Sequence, residues 1–141
     1  MTSIVKADRI RKTLTANDLG MTGSHQAGIH VPKSLATFFP ELPARALNPD
    51  VWISVAASST RARCRFIHYN NALVAQGTRD EYRLTHVGAL LRTSGAATGD
   101  SLELTRIGPS SYEFRLVERD SDDEPLLLRT TGRWRVVRLA G

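Results

Sequence analysis

Residues 61–69 read Arg-Ala-Arg-Cys-Arg-Phe-Ile-His-Tyr, with arginine at 61, 63 and 65 and Ala62, Cys64 and Phe66 at the alternate positions. A period of two separates these sets onto opposite faces only if the backbone is extended, so the segment must be a half-buried strand. The same alternation occurs at Val51, Ile53 and Val55 against Trp52, Ser54 and Ala56, directly after the turn signal Asn48-Pro49-Asp50. Asn70-Asn71 ends the arginine strand, and 72–75 reads as the return arm of a hairpin. Further strands are expected at 9–16, 101–107, 111–118, 126–130 and 134–139, with Gly108-Pro109-Ser110 as a tight turn and 119–125 as a polar loop. Helical signals are short: Pro32 opens a segment that Pro40 must close, and a second turn or two is expected at 85–92 with Thr85 as its cap. Many short strands and one or two short helices predict a mainly β, open barrel.

A chain of 141 residues suits one domain spanning 1–141, large enough to bury roughly two-thirds of its unfolded surface. The hydrophobic fraction is 41%, ordinary for a globular chain, and no apolar run approaches the roughly 20 residues that span a bilayer. No signal-peptide core is visible at the start, and Cys64 is the only cysteine, which excludes an internal disulfide. The expected setting is a reducing bacterial cytoplasm, with no membrane partner. The net charge is +5 at a pI near 10.0, yet lysine occurs only at 6, 12 and 33, so the positive charge is carried by arginine. Planar guanidinium forks suit phosphates and guanine edges. A GC-rich genome, which encodes arginine in place of lysine throughout, produces the same balance.

The common catalytic patterns are missing. His25 and His30 stand five apart without the helical glutamate of a zinc protease, and neither a Walker-type loop nor a Gly-x-Ser-x-Gly elbow occurs. Metal-dependent nuclease centres that end in acid-x-lysine fail here because Ile4, Ile10 and Val31 precede the three lysines. None of the four histidines is followed two residues later by lysine. The chain is therefore read as holding no nuclease centre and no metal site of its own.

Two stretches differ from the β background. In 12–33, three glycines combine with Ser24, His25, Gln26 and His30, donors and acceptors suited to base edges, in a loop whose backbone can approach a partner closely. A plain polar surface loop, with His30 facing outward from a strand, would have the same composition. In 76–86, Arg79 and Arg83 can each bond bidentately to a guanine, a contact worth about 1–3 kcal/mol of discrimination. Asp80 and Glu81 can accept from cytosine or clamp the arginines; an exposed loop of paired charges is the alternative.

The motifs Leu-Thr-Ala-Asn-Asp-x-Gly-x-Thr-Gly-x-His-Gln-x-Gly-Ile-His-Val-Pro, Ala46-Leu47-Asn48-Pro49, His68-Tyr69-Asn70-Asn71 and Thr78-Arg79-x-Glu81-x-Arg83 occur in this order, spanning roughly residues 12–88. Together they resemble the N-terminal effector domain of EcoRII-type restriction endonucleases. The resemblance implies an open, seven-stranded-type DNA-binding pseudobarrel that grips double-stranded DNA between two arms in the major groove. The base-reading positions it implies are His25, Gln26 and His30 on the N-arm, and Arg79, Asp80, Glu81 and Arg83 on the C-arm. Lys12, Ser24, Lys33, Thr78 and Tyr82 would contact the backbone or support the readers. His30 stands where the family has tyrosine, and Gly77 and Tyr82 where it has lysine, so phosphate binding should be weaker here. The expected target is CC(A/T)GG or another short GC-rich near-palindrome. A catalytic nuclease domain of the parent protein would be the partner, this chain being a fragment without it, and Mg2+ would belong to that domain alone. A regulatory protein–protein module on the same fold, or a small hydrolase with an unrecognised motif, are the other readings.

Overall fold

The computed structural model of the chain describes residues 8–20, 28–43, 46–57, 60–118 and 134–136. Eight strands form one sheet: β1 (Arg9–Thr13), β2 (Ile29–Val31), β3 (Asp50–Ala57), β4 (Thr60–Tyr69), β5 (Glu81–Thr85), β6 (Ser101–Gly108), β7 (Ser111–Val117) and β8 (Trp134–Val136). Their order is β2-β5-β4-β3-β7-β6-β1-β8, antiparallel except for the β3–β7 pair. The indole N–H of Trp134 on β8 donates to the carbonyl of His30 on β2 at 2.8 Å, joining the two outermost strands. The sheet is thus a nearly closed barrel, mainly β as expected, with an eighth short strand beyond the seven anticipated.

The alternation read in the sequence sets the inside and outside of the barrel. In the β3–β4 hairpin Val51 pairs with Phe66, Ile53 with Cys64 and Val55 with Ala62, all facing inward, while Trp52 pairs with Arg65 and Ser54 with Arg63 on the outside. Burial pushes the Cys64 thiol up to about 11, so it packs as a small hydrophobe instead of acting as a nucleophile. A 3-10 segment (Lys33–Phe38) places Phe38 and Phe39 in the core. The hydroxyl of buried Tyr112 donates to the Phe38 carbonyl at 2.7 Å.

Among the described residues three short helical segments are present where one or two were expected, and two expectations need correction. Residues 72–75 are not the return arm of a hairpin. Residues 72–74 fall in helix α1 (Asn71–Val74), whose amides of Leu73 and Val74 bond back to the Asn70 carbonyl, Ala75 closes it, and the strand paired to β4 begins only at Glu81. Leu73 and Val74 are exposed, so their apolar character did not signal a core-facing strand. Thr85 is not a helix cap: it ends β5, buried, with its hydroxyl donating to the Arg65 carbonyl. His86 turns the chain at a φ of 65°, and helix α2 (Gly88–Thr93) follows without a side-chain cap. The expected strand at 126–130 and the polar loop at 119–125 lie outside the described residues. Among the described residues no helix is long and apolar enough to cross a membrane.

Candidate nucleic-acid interface

The strands that follow the two segments expected as arms are neighbours. β2, after the expected N-arm, pairs antiparallel with β5, after the expected C-arm, with His30 opposite Arg83. Ile29, Val31 and Leu84 point into the core, so the alternation puts exposed His30 on the outer face with Glu81 and Arg83. Gly28 enters this ladder at its Leu84–Thr85 end and Asp80 at its Val31 end, so the segments expected as the two arms connect to opposite ends of one two-stranded floor.

Gly28 fixes how the N-arm meets the floor. Its φ is 77°, a left-handed conformation, and an added Cβ would lie 2.2 Å from the Leu84 carbonyl oxygen. Below it, Asp18 accepts from the amide of Thr15, whose hydroxyl in turn accepts from the amide of Asp18, and the Asp18 carboxylate pairs with buried Lys12. Lys12, His30 and Arg83 line a cleft of about 440 Å³ together with Asn17, Asp18, Pro32 and Trp134. A phosphate approaching Lys12 would compete with Asp18. Ser24, His25 and Gln26, the expected tip of the N-arm, lie outside the described residues.

The C-arm is built around Asn71. Its side-chain carbonyl accepts from the Arg79 amide at 2.7 Å, and its backbone carbonyl accepts from Gly77. A Cβ on Gly77 would strike that side chain, which gives a physical reason for glycine at this position. Asn70, beside it, exchanges hydrogen bonds with Asn48 and donates to the Ala46 carbonyl. The two asparagine motifs therefore lock the base of the arm.

From that base, charged groups run in file. Arg79 lies with its guanidinium 3.9 Å from the centre of the Tyr69 ring and bonds Glu81, and Glu81 in turn accepts from Arg83 at 2.6 Å. Arg83 also donates to the Gly28 carbonyl, which ties the C-arm ladder to the N-arm junction. Arg83 is only 5% exposed, whereas the Arg79 side chain is 38% exposed, so Arg79 is the more accessible of the two expected guanine readers. Glu81 acts here as the clamp that orients both arginines. Asp80 faces the other way: it accepts from Lys33 at 2.6 Å and contacts His68 at 2.8 Å. Tyr82 stacks on His68 at 4.1 Å and on Phe66, and Phe66 stacks on Phe39, so rings run from the core to Asp80. Thr78 is exposed on the arm.

Sequence reasoning missed His68, Tyr69, Asn71 and Trp134 as parts of this arrangement. Three of them stand in the 68–71 motif that carried the resemblance, which was the available signal; the distant Trp134 left none. Among the described residues no cluster of three or more His, Cys, Asp or Glu could hold a metal ion. An apolar groove of about 740 Å³ lies beneath α1, lined in part by Phe39, Leu42, Leu73 and Val74 and bordered by His68 and Tyr82 of this arrangement.

Burial pushes the Glu81 carboxyl up, but the bonds from Arg83 and Arg79 outweigh it and hold the group below its ordinary 4.5. Lys33, then His68, likewise lowers Asp80. A depressed carboxylate stabilises the fold fully above its unfolded value and progressively less as pH falls through the folded one. Thermal stability should therefore hold down to about pH 4.5 and decline below it, and Glu81→Gln should flatten that decline in a melting series. An equal acid dependence in the variant would remove Glu81 from the account.

Comparison with known proteins agrees with the geometry. The family described as "Restriction endonuclease EcoRII, N-terminal" matches residues 5–100. A curated relative, "Type II restriction enzyme EcoRII" from Escherichia coli, is 33% identical over 129 residues, covering 84% of this chain and 32% of the relative. The chain thus spans about a third of the length of that enzyme.

Proposed function

Because this chain belongs to the EcoRII N-terminal family, we propose that it binds double-stranded DNA sequence-specifically, as the target-recognition or effector module of a type II restriction endonuclease. The observation that carries this reading is the Arg79–Glu81–Arg83 file beside His30 on the floor between the two arms. Arginine forks held by a carboxylate are preorganised for guanine O6 and N7, and a barrel that already fixes them loses little freedom on binding. Arg79 reads a base, Arg83 and Glu81 orient it, and the N-arm, through His25 and Gln26, approaches the same groove from the far end. The target is CC(A/T)GG or a close GC-rich relative. The module binds without cutting, and a nuclease domain elsewhere in the parent protein supplies the Mg2+-dependent hydrolysis.

Gel shifts on duplexes with and without CC(A/T)GG test this. Arg79→Ala should weaken specific binding by about 5- to 100-fold, the loss of one bidentate contact, and leave most nonspecific binding intact. Equal loss on both duplexes would contradict base reading. The groove under α1, with exposed Leu73 and Val74, favours a second reading as a protein-docking module. That reading would prevail if no duplex were shifted even at low salt.

A further inference from the structure

The floor between the arms is close to charge-balanced. Lys12 is paired with Asp18, Lys33 with Asp80, and the two arginines share Glu81. A DNA-binding surface needs phosphate attraction that such internal pairs do not supply. Unneutralised cations lie instead further along the same outer face. The register that puts Arg83 beside Ile67 and Thr85 beside Arg65 continues up β4 to Arg63 and Arg61, both exposed. Arg65 is paired with Asp50, but among the described residues neither Arg61 nor Arg63 meets a carboxylate. Arg61 donates only to the Ser54 hydroxyl, and the Arg63 guanidinium lies 4.7 Å from the centre of the Trp52 ring.

This stacking holds an exposed arginine in one place. Trp52, an aromatic residue left 41% exposed on a strand, also contacts His86, with ring centres 5.0 Å apart. His86 lines a cleft with exposed Arg92 and with the residues at the base of the N-arm, Asn17 to Gly20 and Gly28. A ribbon of positive and aromatic groups thus runs from the N-arm base onto the outer wall of the β3–β4 hairpin, continuous with the candidate interface.

We propose that Arg61 and Arg63, braced by Ser54 and Trp52, form a phosphate-binding strip that takes the duplex flanking the recognition site on the N-arm side. The strip rests on the DNA-binding reading above and deepens it: the arms read sequence, and this wall supplies sequence-independent affinity. Planar guanidiniums projecting from a rigid strand at every second residue suit the backbone of a duplex lying along the wall.

The test measures binding of the chain to CC(A/T)GG duplexes, one trimmed close to the site and one extended by about a helical turn on each side, over a salt series. The parent should bind the longer duplex more tightly. Arg61→Ala/Arg63→Ala should lose roughly 10-fold on the long duplex and little on the short one, with the log–log salt slope reduced by about 2 for two phosphate contacts. Its preference for CC(A/T)GG over a scrambled site should be unchanged. Arg9→Ala on β1, on the far side of the barrel, controls for loss of a cation elsewhere on the surface and should leave the length dependence intact. An unchanged slope with discrimination preserved would overturn the strip alone. A reduced slope in a protein that shows no sequence preference would keep the strip and sink base reading. Absence of binding to either duplex at low salt would end both.

Discussion

Gly28→Ala should lower the melting temperature by about 10 °C or more and abolish specific DNA binding. Two costs combine at this position. A left-handed φ costs an L-residue about 1–2 kcal/mol, and the new Cβ would sit 2.2 Å from the carbonyl oxygen of Leu84. That oxygen belongs to the β2–β5 ladder, so relief requires the strands to part, and with them the floor of the candidate interface. A loss of about 3 kcal/mol or more is expected, several degrees per kcal/mol in a domain of this size. Gly20 is the control. Its φ is 74° but nothing lies within 4 Å of an added Cβ, so Gly20→Ala should cost only the conformational part, about 1 kcal/mol. Similar melting temperatures for the two variants, followed by calorimetry or circular dichroism, would show that the close approach of Gly28 to β5 is unimportant.

Glu81→Ala should be the most damaging single change on the C-arm. It removes the shared acceptor of Arg79 and Arg83 and leaves Arg83, almost fully buried, without its carboxylate. Breaking a buried pair from one side costs about 3–5 kcal/mol, and because Glu81 still meets solvent we expect about 2 kcal/mol. Specific DNA affinity should fall with it, since Arg79 loses its brace. Removing the Arg83 charge as well separates the causes: Glu81→Ala/Arg83→Met should be more stable than Glu81→Ala alone while binding DNA no better. A double variant less stable than the single one would show that Arg83 contributes through its packing and its bond to Gly28.

The barrel was legible wherever one face of a strand is buried and the other wet. Cys64 and Phe66 against Arg63 and Arg65 announced β4 directly, and the inward set of β3 fell into register with it. Legibility failed where side-chain bonds to the backbone overrode pattern. Asn70 and Asn71 do not merely stop a strand: they start a helical turn and tie the arm to the Asn48 loop, so four small apolar residues that resemble a strand never join the sheet. Thr85 has the chemistry of a cap but is spent on the Arg65 carbonyl. At the site, the charged residues were visible as residue types, and their partners were not. Nothing local says that Asp80 serves Lys33, 47 positions away, and His68, or that Glu81 serves two arginines. Such pairings arise only when β2, β4 and β5 are laid side by side.

The indole bond between Trp134 and His30 has a consequence for how this protein behaves in company. A sheet that ends in two free margins invites a neighbouring molecule to add a strand of its own, the first step toward aggregation. Here the β2 margin is only three residues long, and the Trp134 indole from β8 already occupies the carbonyl of its central residue, so among the described residues an intruding chain would find little of β2 left to pair with.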